Sequence, residues 1–495
     1  MLAKKEKKMS RRSFFINTGT ATAAVAALGG FATIDDYEAV YGNVNTNSQP
    51  SALKITDMRT QGHFIRLDTN QGVSGYGEIR DSSSITYALM LKSRILGENP
   101  LNVDKIWRKL KQYGGNGRQG AGPAAIEMAC WDIAGKVWGV PCWQMLGGQF
   151  RDKILLYADT SQQRDPVRMG NALKRRIEKG YKFLKMDFGI DLLRNIEGVI
   201  TAPPIVNPFD QWNLYSINGN TEHMFTGIRL TDKGLDIIAD WCQQVRDTVG
   251  WDIPIATDHY GHMILEDQIK LAQKLDKFNF AWYEDMIPWQ HTDLLLRLRD
   301  SCKTPIITGE DIYTLDNFRE LIDKQAVSMI HPDIATAGGM LETKKIGDYA
   351  QKHGIAMALH MDGRVVTWFA SIHCAAATEN FLVLEHHGAD DANYEDAITN
   401  IEKPILQSDG FVYVPNSPGL GITLNEEVMG IEGMRGMGGR RGFGGRGGAQ
   451  LPTPNFNTPT DEWNNERSDD RLWSIHIKEN EEQETKTLQD KTKQV

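Results

Sequence analysis

The sequence has few cysteines and no excess of positive charge. Its five cysteines lack the short spacings of paired or metal-binding thiols, so we expect reduced core residues and no disulfide framework. Lysine and arginine number 55 against 64 acidic residues, and the net charge of -9 argues against nucleic acid as the main partner. After the N-terminus no apolar run is long enough to span a bilayer, so no membrane span is predicted.

The first 45 residues have the pattern of an export signal and linker. A lysine-rich start is followed by the paired Arg11 and Arg12 and then by a weakly apolar, alanine-rich stretch. This order resembles a twin-arginine signal peptide, which carries proteins that are already folded. We therefore expect export to the periplasm, and a cytoplasmic location if this interpretation is wrong.

Residues 53–148 change from strand-like to helix-like patterning. The runs at 53–60, 63–70 and 73–79 alternate between apolar and polar residues, which predicts a β-hairpin or meander. Helical spacing follows at 84–96 and 103–111. Residues 124–148 contain the pattern of an amphipathic helix, with a Gly-Val-Pro stop at 139–141.

Three short apolar runs between residues 253 and 311 each end in a carboxylate: Asp258, Glu284 and Glu310. Helical spacing separates the runs, and strands that alternate with helices of this length are parallel. The carboxyl ends of parallel barrel strands share one face, so the three acids are expected to converge. Converging carboxylates repel one another unless a cation neutralises them, and oxygen ligands suit a hard divalent ion. The sequence therefore predicts one Mg²⁺ per subunit at these residues.

Further strands flank these three. Runs at 155–160 and 182–189 precede them and runs at 327–334, 355–362 and 380–387 follow, which makes eight. Asp333 ends the sixth strand and His360 the seventh, so adjacent strands could bring a carboxylate and an imidazole together. The carboxylate would fix the ring tautomer and raise the basicity of the ring. Glu385 ends the eighth strand.

Several of these motifs together resemble the enolase superfamily, specifically its mandelate racemase subgroup. They are GYGEI at 75–79, WDIAGKVWGVPCWQMLGG at 131–148 and the three strand-end acids, in the expected order within residues 53–424. The resemblance implies an α+β capping domain and a modified TIM (β/α)7β barrel, with Mg²⁺ stabilising an enediolate made by removing the proton α to a carboxylate. It also implies that Asp333 and His360 form a general base or acid, and that a protonated Glu385 hydrogen-bonds the developing enediolate.

The second barrel strand departs from the pattern of that family. Many relatives carry Lys-x-Lys there, whereas this chain has Lys185 and, two residues on, Asp187. A racemase needs a base on each face of its substrate, so the change argues against simple racemisation. In a dehydratase, His360 could perform both steps of a syn elimination, or Lys185 or Asp187 could take one of them.

The third barrel strand offers a further candidate. Relatives often read Asp-x-Asn or Asp-x-His there, whereas this chain continues from Asp258 to His259 and Tyr260. Side chains in a strand alternate with period two, so Asp258 and Tyr260 are expected to point the same way. We therefore predict that Tyr260 lies in the pocket and that His259 is structural.

The predicted organisation has five parts. They are a signal and linker at 1–45, a capping domain at 53–150, a barrel at 151–390, a return segment with a Gly/Arg-rich insertion at 391–475, and a charged, disordered tail at 476–495. An insertion at 191–229 is rich in Pro, Asn, Gly and aromatic residues. It is predicted to be a lid or specificity wall, an oligomer contact, or a surface loop without such a role.

The leading functional hypothesis is a Mg²⁺-dependent dehydratase of a sugar acid that releases a 2-keto-3-deoxy acid. A cycloisomerase or epimerase of sugar acids is the nearest alternative, since it uses the same enediolate. A third possibility is a sugar-acid binding protein that retains the fold without catalysis. The expected partners are the small-molecule substrate and other copies of the chain. Other copies are expected because homo-oligomers are frequent in the family that the chain resembles.

Overall fold

The computed structural model describes residues 49–80, 83, 85–114, 120–193, 196–200, 229–260, 263–390 and 394–425. The predicted signal at 1–45, residues 201–228 of the insertion, the Gly/Arg-rich run and the charged tail lie outside these ranges. None of the helices within the ranges has the length and hydropathy required to span a lipid bilayer.

A three-stranded antiparallel sheet begins the described chain. Its strands are β1 (Ile55–Gln61), β2 (Phe64–Thr69) and β3 (Ser74–Glu78), paired in chain order. Five helices follow: α1 (Ile85–Leu89), α2 (Lys92–Ile95), α3 (Val103–Gly114), α4 (Ala121–Trp138) and α5 (Cys142–Met145). The predicted meander and helices are therefore confirmed, and together they form the α+β capping domain.

Helix α4 crosses β3 at close range, which explains two glycines of the GYGEI motif. A Cβ atom on Gly77 would lie 1.8 Å from the Ala125 carbonyl oxygen, and one on Gly75 would lie 2.2 Å from that of Ala129. The helix ends at Gly139, which has a left-handed φ of 71°. Nearly all its side chains are buried, because it packs on β2 and β3 and also contacts helices of the barrel. The prediction of an amphipathic helix was wrong for this reason.

Eight parallel strands form a closed barrel, since neighbours pair in chain order and the last strand pairs with the first. The strands are β4 (Lys153–Ala158), β5 (Leu184–Asp187), β6 (Ile255–Asp258), β7 (Tyr283–Glu284), β8 (Ile306–Thr308), β9 (Met329–Ile330), β10 (Ala356–Leu359) and β11 (Phe381–His386). The helices between them are α6 (Pro166–Glu178), α7 (Asp232–Val249), α8 (Leu265–Leu275), α9 (Thr292–Ser301), α10 (Leu315–Asp323), α11 (Ile334–Ala337), α12 (Met340–Lys352) and α13 (Val365–Ala377). After β11 the chain forms β12 (Phe411–Tyr413), which pairs antiparallel with β4. The predicted modified (β/α)7β barrel is confirmed.

One apolar side chain from each strand, or from the residue just before it, fills the barrel interior. This layer consists of Tyr157, Phe183, Ala256, Trp282, Ile307, Met329, Ala358 and Val383. Two residues further along, strand periodicity turns the next side chain inward at the carboxyl end, where most positions are charged or ionisable. These positions are Asp159, Lys185, Asp258, Glu284, His331, His360 and Glu385. The barrel thus has an apolar plug beneath a charged mouth.

Two buried carboxylates join the capping domain to the barrel, and we call them the capping carboxylates. Glu78 accepts hydrogen bonds from the backbone N–H groups of Val366 and Thr367, each at 3.0 Å, in the first turn of α13. Glu127 accepts those of the first two residues of α12, at 2.8 and 3.0 Å. Burial raises the pKa of each to about 7, although these hydrogen bonds oppose the increase. Both acids therefore satisfy the free N–H groups at a helix N-terminus.

The segment after the eighth strand returns to helix α4. The N–H of Leu420 donates to Asp132 Oδ1 at 3.0 Å, and the Trp143 indole N–H donates to the Pro415 carbonyl at 2.9 Å. A parallel bridge also joins Pro141 to Gly419. These contacts hold the end of the barrel chain against the capping domain.

Candidate active site

The three acids predicted to bind a metal lie at neighbouring strand ends. Asp258 ends β6, Glu284 ends β7, and Glu310 lies two residues beyond β8. Lys185 Nζ is 3.3 Å from Asp258 Oδ2 and 3.5 Å from Glu284 Oε1. Burial and the nearby Glu284 carboxylate raise the pKa of Asp258 to about 6, and Glu310 adds to this effect. The acids therefore influence one another electrostatically at the same end of the barrel.

The chemistry of this donor set fits a hard divalent cation, because all three residues offer carboxylate oxygen atoms. Among the described residues, two groups of three side chains have potential metal-ligand atoms that all lie within 4.8 Å of one another. The three strand-end acids are not one of these groups. Glu310 is held by other groups: His360 Nε2 lies 2.7 Å from its Oε2, and an Arg80 guanidinium nitrogen lies 3.1 Å from its Oε1. The side chains of Lys185, His360 and Arg80 thus balance the strand-end acids in this arrangement.

Asp333 and His360 form a close, buried pair. His360 Nδ1 is 2.7 Å from Asp333 Oδ2, and a parallel bridge joins the two residues across neighbouring strands. The carboxylate favours the tautomer that carries a proton on Nδ1, so Nε2 is directed toward Glu310 and Glu385, at 2.7 and 3.5 Å. Burial lowers the pKa of His360, but these carboxylates outweigh it and hold the pKa well above its usual range. The sequence prediction that these strand ends bring the two residues together agrees with the structure.

Lys185 is buried at the centre of the mouth. Its ammonium nitrogen lies 2.7 Å from Glu385 Oε1 and 3.7 Å from Asp159 Oδ1, in addition to its contacts with two of the metal-ligand candidates. Burial opposes the charged form, but Glu284, Glu385 and Asp258 raise the pKa of Lys185 well above its usual range. In this arrangement the three carboxylates therefore favour the charged ammonium form of Lys185.

Glu385 is fully buried, and the side chains of Lys185 and His360 lie beside its carboxyl group. Burial favours the neutral acid, but Lys185 and His360 hold the pKa of Glu385 well below its usual range. The ammonium group of Lys185, which lies in contact with this carboxyl group, favours the ionised form in this arrangement, and a protonated Glu385 beside the enediolate stays a prediction.

Tyr260 does not reach the mouth, contrary to the prediction. Its side chain is 1% exposed, its hydroxyl bonds to Thr257 Oγ1, and its ring packs against Phe188 at 5.1 Å between centroids. The alternation fails because His259 has a left-handed φ of 65°, which breaks the strand directly after Asp258.

His259 instead faces the mouth, where its side chain is 57% exposed. Its Nε2 lies 3.7 Å from Asp258 Oδ2 and 3.9 Å from Asp187 Oδ2. Asp258 and Asp187 raise the pKa of His259 to about 10. Asp187 is the direct neighbour of Asp258 in the pairing of β5 with β6, and burial together with Asp159 raises the pKa of Asp187 well above its usual range. His259, and not Tyr260, is therefore the third-strand residue available to a substrate.

Three further residues of the site were missed from the sequence. Arg80, just beyond β3, reaches from the capping domain to Glu310 and also donates to Thr336 Oγ1 at 3.0 Å. His331 Nδ1 lies 3.1 Å from Glu284 Oε1 and its Nε2 lies 2.8 Å from the Tyr157 hydroxyl. His387 Nε2 lies 3.3 Å from Glu385 Oε1.

Period-two alternation could have identified the two histidines. His331 precedes Asp333 by two residues and His387 follows Glu385 by two, so both share the inward face of a predicted strand. No comparable signal exists for Arg80, because its partner Glu310 lies 230 positions away in another domain.

Comparison with known proteins agrees with this architecture. Residues 168–428 match the family Enolase C-terminal domain-like, and residues 37–147 match the mandelate racemase / muconate lactonizing enzyme N-terminal domain. A D-xylonate dehydratase from Haloferax volcanii is 30% identical over 388 residues, which span 75% of this chain and 87% of that protein. A D-mannonate dehydratase from Caulobacter vibrioides is 26% identical over 381 residues, spanning 74% and 89%.

A solved structure has the same fold. A mandelate racemase/muconate lactonizing enzyme-like protein from Rubrobacter xylanophilus superposes with a TM-score of 0.64 at 27% identity, covering 76% of this chain and 95% of that one. The capped barrel and its strand-end acids thus define an enzyme of the enolase superfamily. Within it, the chain belongs to the mandelate racemase and muconate lactonizing enzyme group, and membership implies a divalent metal ion.

Proposed function

We propose that this protein is a Mg²⁺-dependent dehydratase of a sugar acid, an aldonate or a uronate-derived acid, and that it releases a 2-keto-3-deoxy acid. The observation that carries the proposal is the Asp333–His360 pair, whose Nε2 faces the strand-end acids. The names of the D-xylonate and D-mannonate dehydratases support the substrate class.

The proposed reaction begins once the Glu310 carboxylate has left His360 Nε2 and the ring is neutral; Nε2 then takes the proton from the carbon α to the substrate carboxylate. Asp333 stabilises the imidazolium that forms and keeps the ring in position. The β C–O bond then breaks, and the proton on His360 leaves with the hydroxyl group as water. The resulting enol tautomerises to the 2-keto acid, so one base accounts for a syn elimination.

Asp258, Glu284 and Glu310 would hold the cation, which supplies positive charge beside the substrate carboxylate as negative charge develops there. The ammonium group of Lys185 adds a second fixed positive charge at the same place, and Glu385 holds it at 2.7 Å. Arg80 holds Glu310 from the capping domain. A substrate must displace the Glu310 carboxylate from His360 Nε2 before proton transfer.

A second candidate, an epimerase or cycloisomerase, is favoured by the position of His259. This residue follows the third barrel strand and His360 follows the seventh, so the two imidazoles lie on opposite sides of an eight-stranded barrel. A proton removed on one face could then be returned on the other, or His259 could protonate a hydroxyl group that leaves on that face.

A screen of acid sugars separates these functions. The protein is incubated with Mg²⁺ in D₂O, and NMR follows 2-keto acid formation and deuterium at the α-carbon, with His360→Asn as the comparison. Dehydration predicts a keto acid that the variant does not produce. Deuterium exchange without a keto acid would support the second candidate, and neither product across a broad library would contradict both.

Export and assembly are separate proposals. The paired Arg11 and Arg12 support twin-arginine export. Replacing both by lysine would abolish export in a fractionation assay.

We also propose that the protein forms a homo-oligomer, whose mass light scattering after size exclusion would measure. For the 191–229 insertion we propose a lid or specificity wall; Ile200 and Leu230, on either side of residues 201–228, pair in an antiparallel bridge.

A further inference from the structure

A second cluster of potential ligands lies beside the strand-end acids. His360, Glu385 and His387 each offer one ligand atom, and these atoms all lie within 4.8 Å of one another. Glu385 lies between the two rings, since its Oε2 is 3.5 Å from His360 Nε2 and its Oε1 is 3.3 Å from His387 Nε2. We call these three residues the His-Glu-His cluster.

The spacing of the cluster matches a tetrahedral metal site. Bonds of about 2.0–2.1 Å from Zn²⁺ to nitrogen or oxygen place neighbouring ligand atoms about 3.3 Å apart. Each histidine lies close to this distance from one carboxylate oxygen of Glu385: Oε2 is 3.5 Å from His360 Nε2, and Oε1 is 3.3 Å from His387 Nε2. Two imidazoles and one carboxylate are also a ligand set that transition metals prefer, whereas the three carboxylates of the neighbouring site suit Mg²⁺.

Carboxylates behind both rings complete the arrangement. Asp333 Oδ2 lies 2.7 Å from His360 Nδ1, and Asp362 Oδ1 lies 3.6 Å from His387 Nδ1. A carboxylate on the far nitrogen orients a metal-binding histidine and increases its basicity. Both histidines therefore present Nε2 toward Glu385.

The Nε2 atom of His387 is buried and directed into the cluster, where it lies 3.3 Å from Glu385 Oε1. Lys185 Nζ contacts Glu385 Oε1 at 2.7 Å and opposes a cation there, whereas the Asp333 and Asp362 carboxylates beside the far ring nitrogens favour one.

We propose that the His-Glu-His cluster binds one transition-metal ion of the Zn²⁺ or Co²⁺ type, separately from the Mg²⁺ site, and that this ion inhibits the enzyme. Inhibition follows because the ion occupies His360 Nε2, the atom that removes the substrate proton. The inhibitory part rests on the proposed function, whereas the binding part does not.

Calorimetry and spectroscopy of the full chain test the binding. With millimolar Mg²⁺ present, Zn²⁺ titration should show one additional site, and Co²⁺ should produce the visible absorption of a histidine-ligated tetrahedral ion. Affinity for both ions should fall by about tenfold or more in His387→Asn and His387→Gln. It should stay unchanged in His353→Asn, a surface histidine whose Nε2 lies 3.6 Å from Asp323 on the helical layer.

Zn²⁺ that merely replaces Mg²⁺ at the three acids would bind equally well to the wild-type protein and to both His387 variants, and this result would overturn the proposal. Circular dichroism and Mg²⁺ affinity show whether the variants are folded. Zn²⁺ should also inhibit substrate turnover less in His387→Asn than in the wild type. Histidine-dependent binding without dehydration of any acid sugar would leave the cluster standing while the proposed function fails.

Discussion

Two sets of buried carboxylates differ in what neutralises them. The capping carboxylates, Glu78 and Glu127, are held by backbone N–H groups at the starts of two helices. The strand-end acids are held by the side chains of Lys185, His360 and Arg80. Backbone donors are fixed by the helix, whereas side-chain cations can turn away and let a metal ion or substrate take their place. A buried acid is therefore structural or functional according to its partner.

The two sets also differ in electrostatics. Burial raises the pKa of Glu78 and of Glu127 to about 7, and helix N–H groups offset it only in part. Burial acts on Glu284 in the same direction, but His331 and Lys185 outweigh it and lower its pKa to about 2. Neighbouring side chains thus keep Glu284 ionised at the mouth, whereas backbone N–H groups do not lower the pKa of Glu78 and Glu127 to this extent at the domain interface.

The largest expected effect comes from removing the base at the mouth. His360→Asn should lower the rate of α-proton removal by a factor of about 10²–10⁴, because it deletes the group proposed to take the proton. Solvent deuterium incorporation measures this rate. Glu127→Gln is the matched change at the domain interface and should leave the rate within about twofold at pH 7. Exchange at the wild-type rate in His360→Asn would contradict the assignment of the base.

Removal of the Lys185 ammonium group should affect stability and metal binding together. Lys185→Met leaves Asp258, Glu284 and Glu385 buried without their shared ammonium group, which should lower the unfolding free energy by about 3–5 kcal/mol in the absence of divalent ions. Mg²⁺ should restore part of this loss, so the increase in melting temperature on adding Mg²⁺ should be larger in the variant than in the wild type. Equal increases would show that Lys185 and the cation do not compensate the same charges.

The capping carboxylates predict a pH dependence of stability. The pKa of Glu127 is about 7 in the folded protein, against an ordinary value of 4.5. Folding therefore favours the protonated acid, and the resulting stability is complete below pH 4.5 and is lost as the pH rises through 7. Relative to Glu127→Gln, the wild type should lose about 3 kcal/mol of unfolding free energy between pH 4.5 and 8. Urea denaturation at both pH values measures this difference, and a constant difference would contradict it.

The sequence predicted the features that depend on local patterns, but it did not predict those that depend on contacts between domains. The eight strands and the Asp333–His360 pair follow from short apolar runs and their order, because neighbouring strands of a parallel barrel meet at one face. Arg80 could not be placed, since its position depends on how the capping domain packs on the barrel. The error at Tyr260 arose because one left-handed residue, His259, ends the alternation on which the prediction depended.

The substitution with the smallest expected effect tests whether Tyr260 lies outside the pocket. Tyr260→Phe removes the hydrogen bond to Thr257 and should cost about 1 kcal/mol of unfolding free energy, while activity stays within about twofold. His259→Gln, one position earlier, should leave stability nearly unchanged and lower activity by about tenfold or more, because its imidazole is exposed at the mouth. Kinetics and denaturation of both variants separate the two residues. If Tyr260→Phe lost activity while His259→Gln kept the wild-type activity, Tyr260 would have to lie in the pocket. The strand would then have to continue past Asp258 in the active protein.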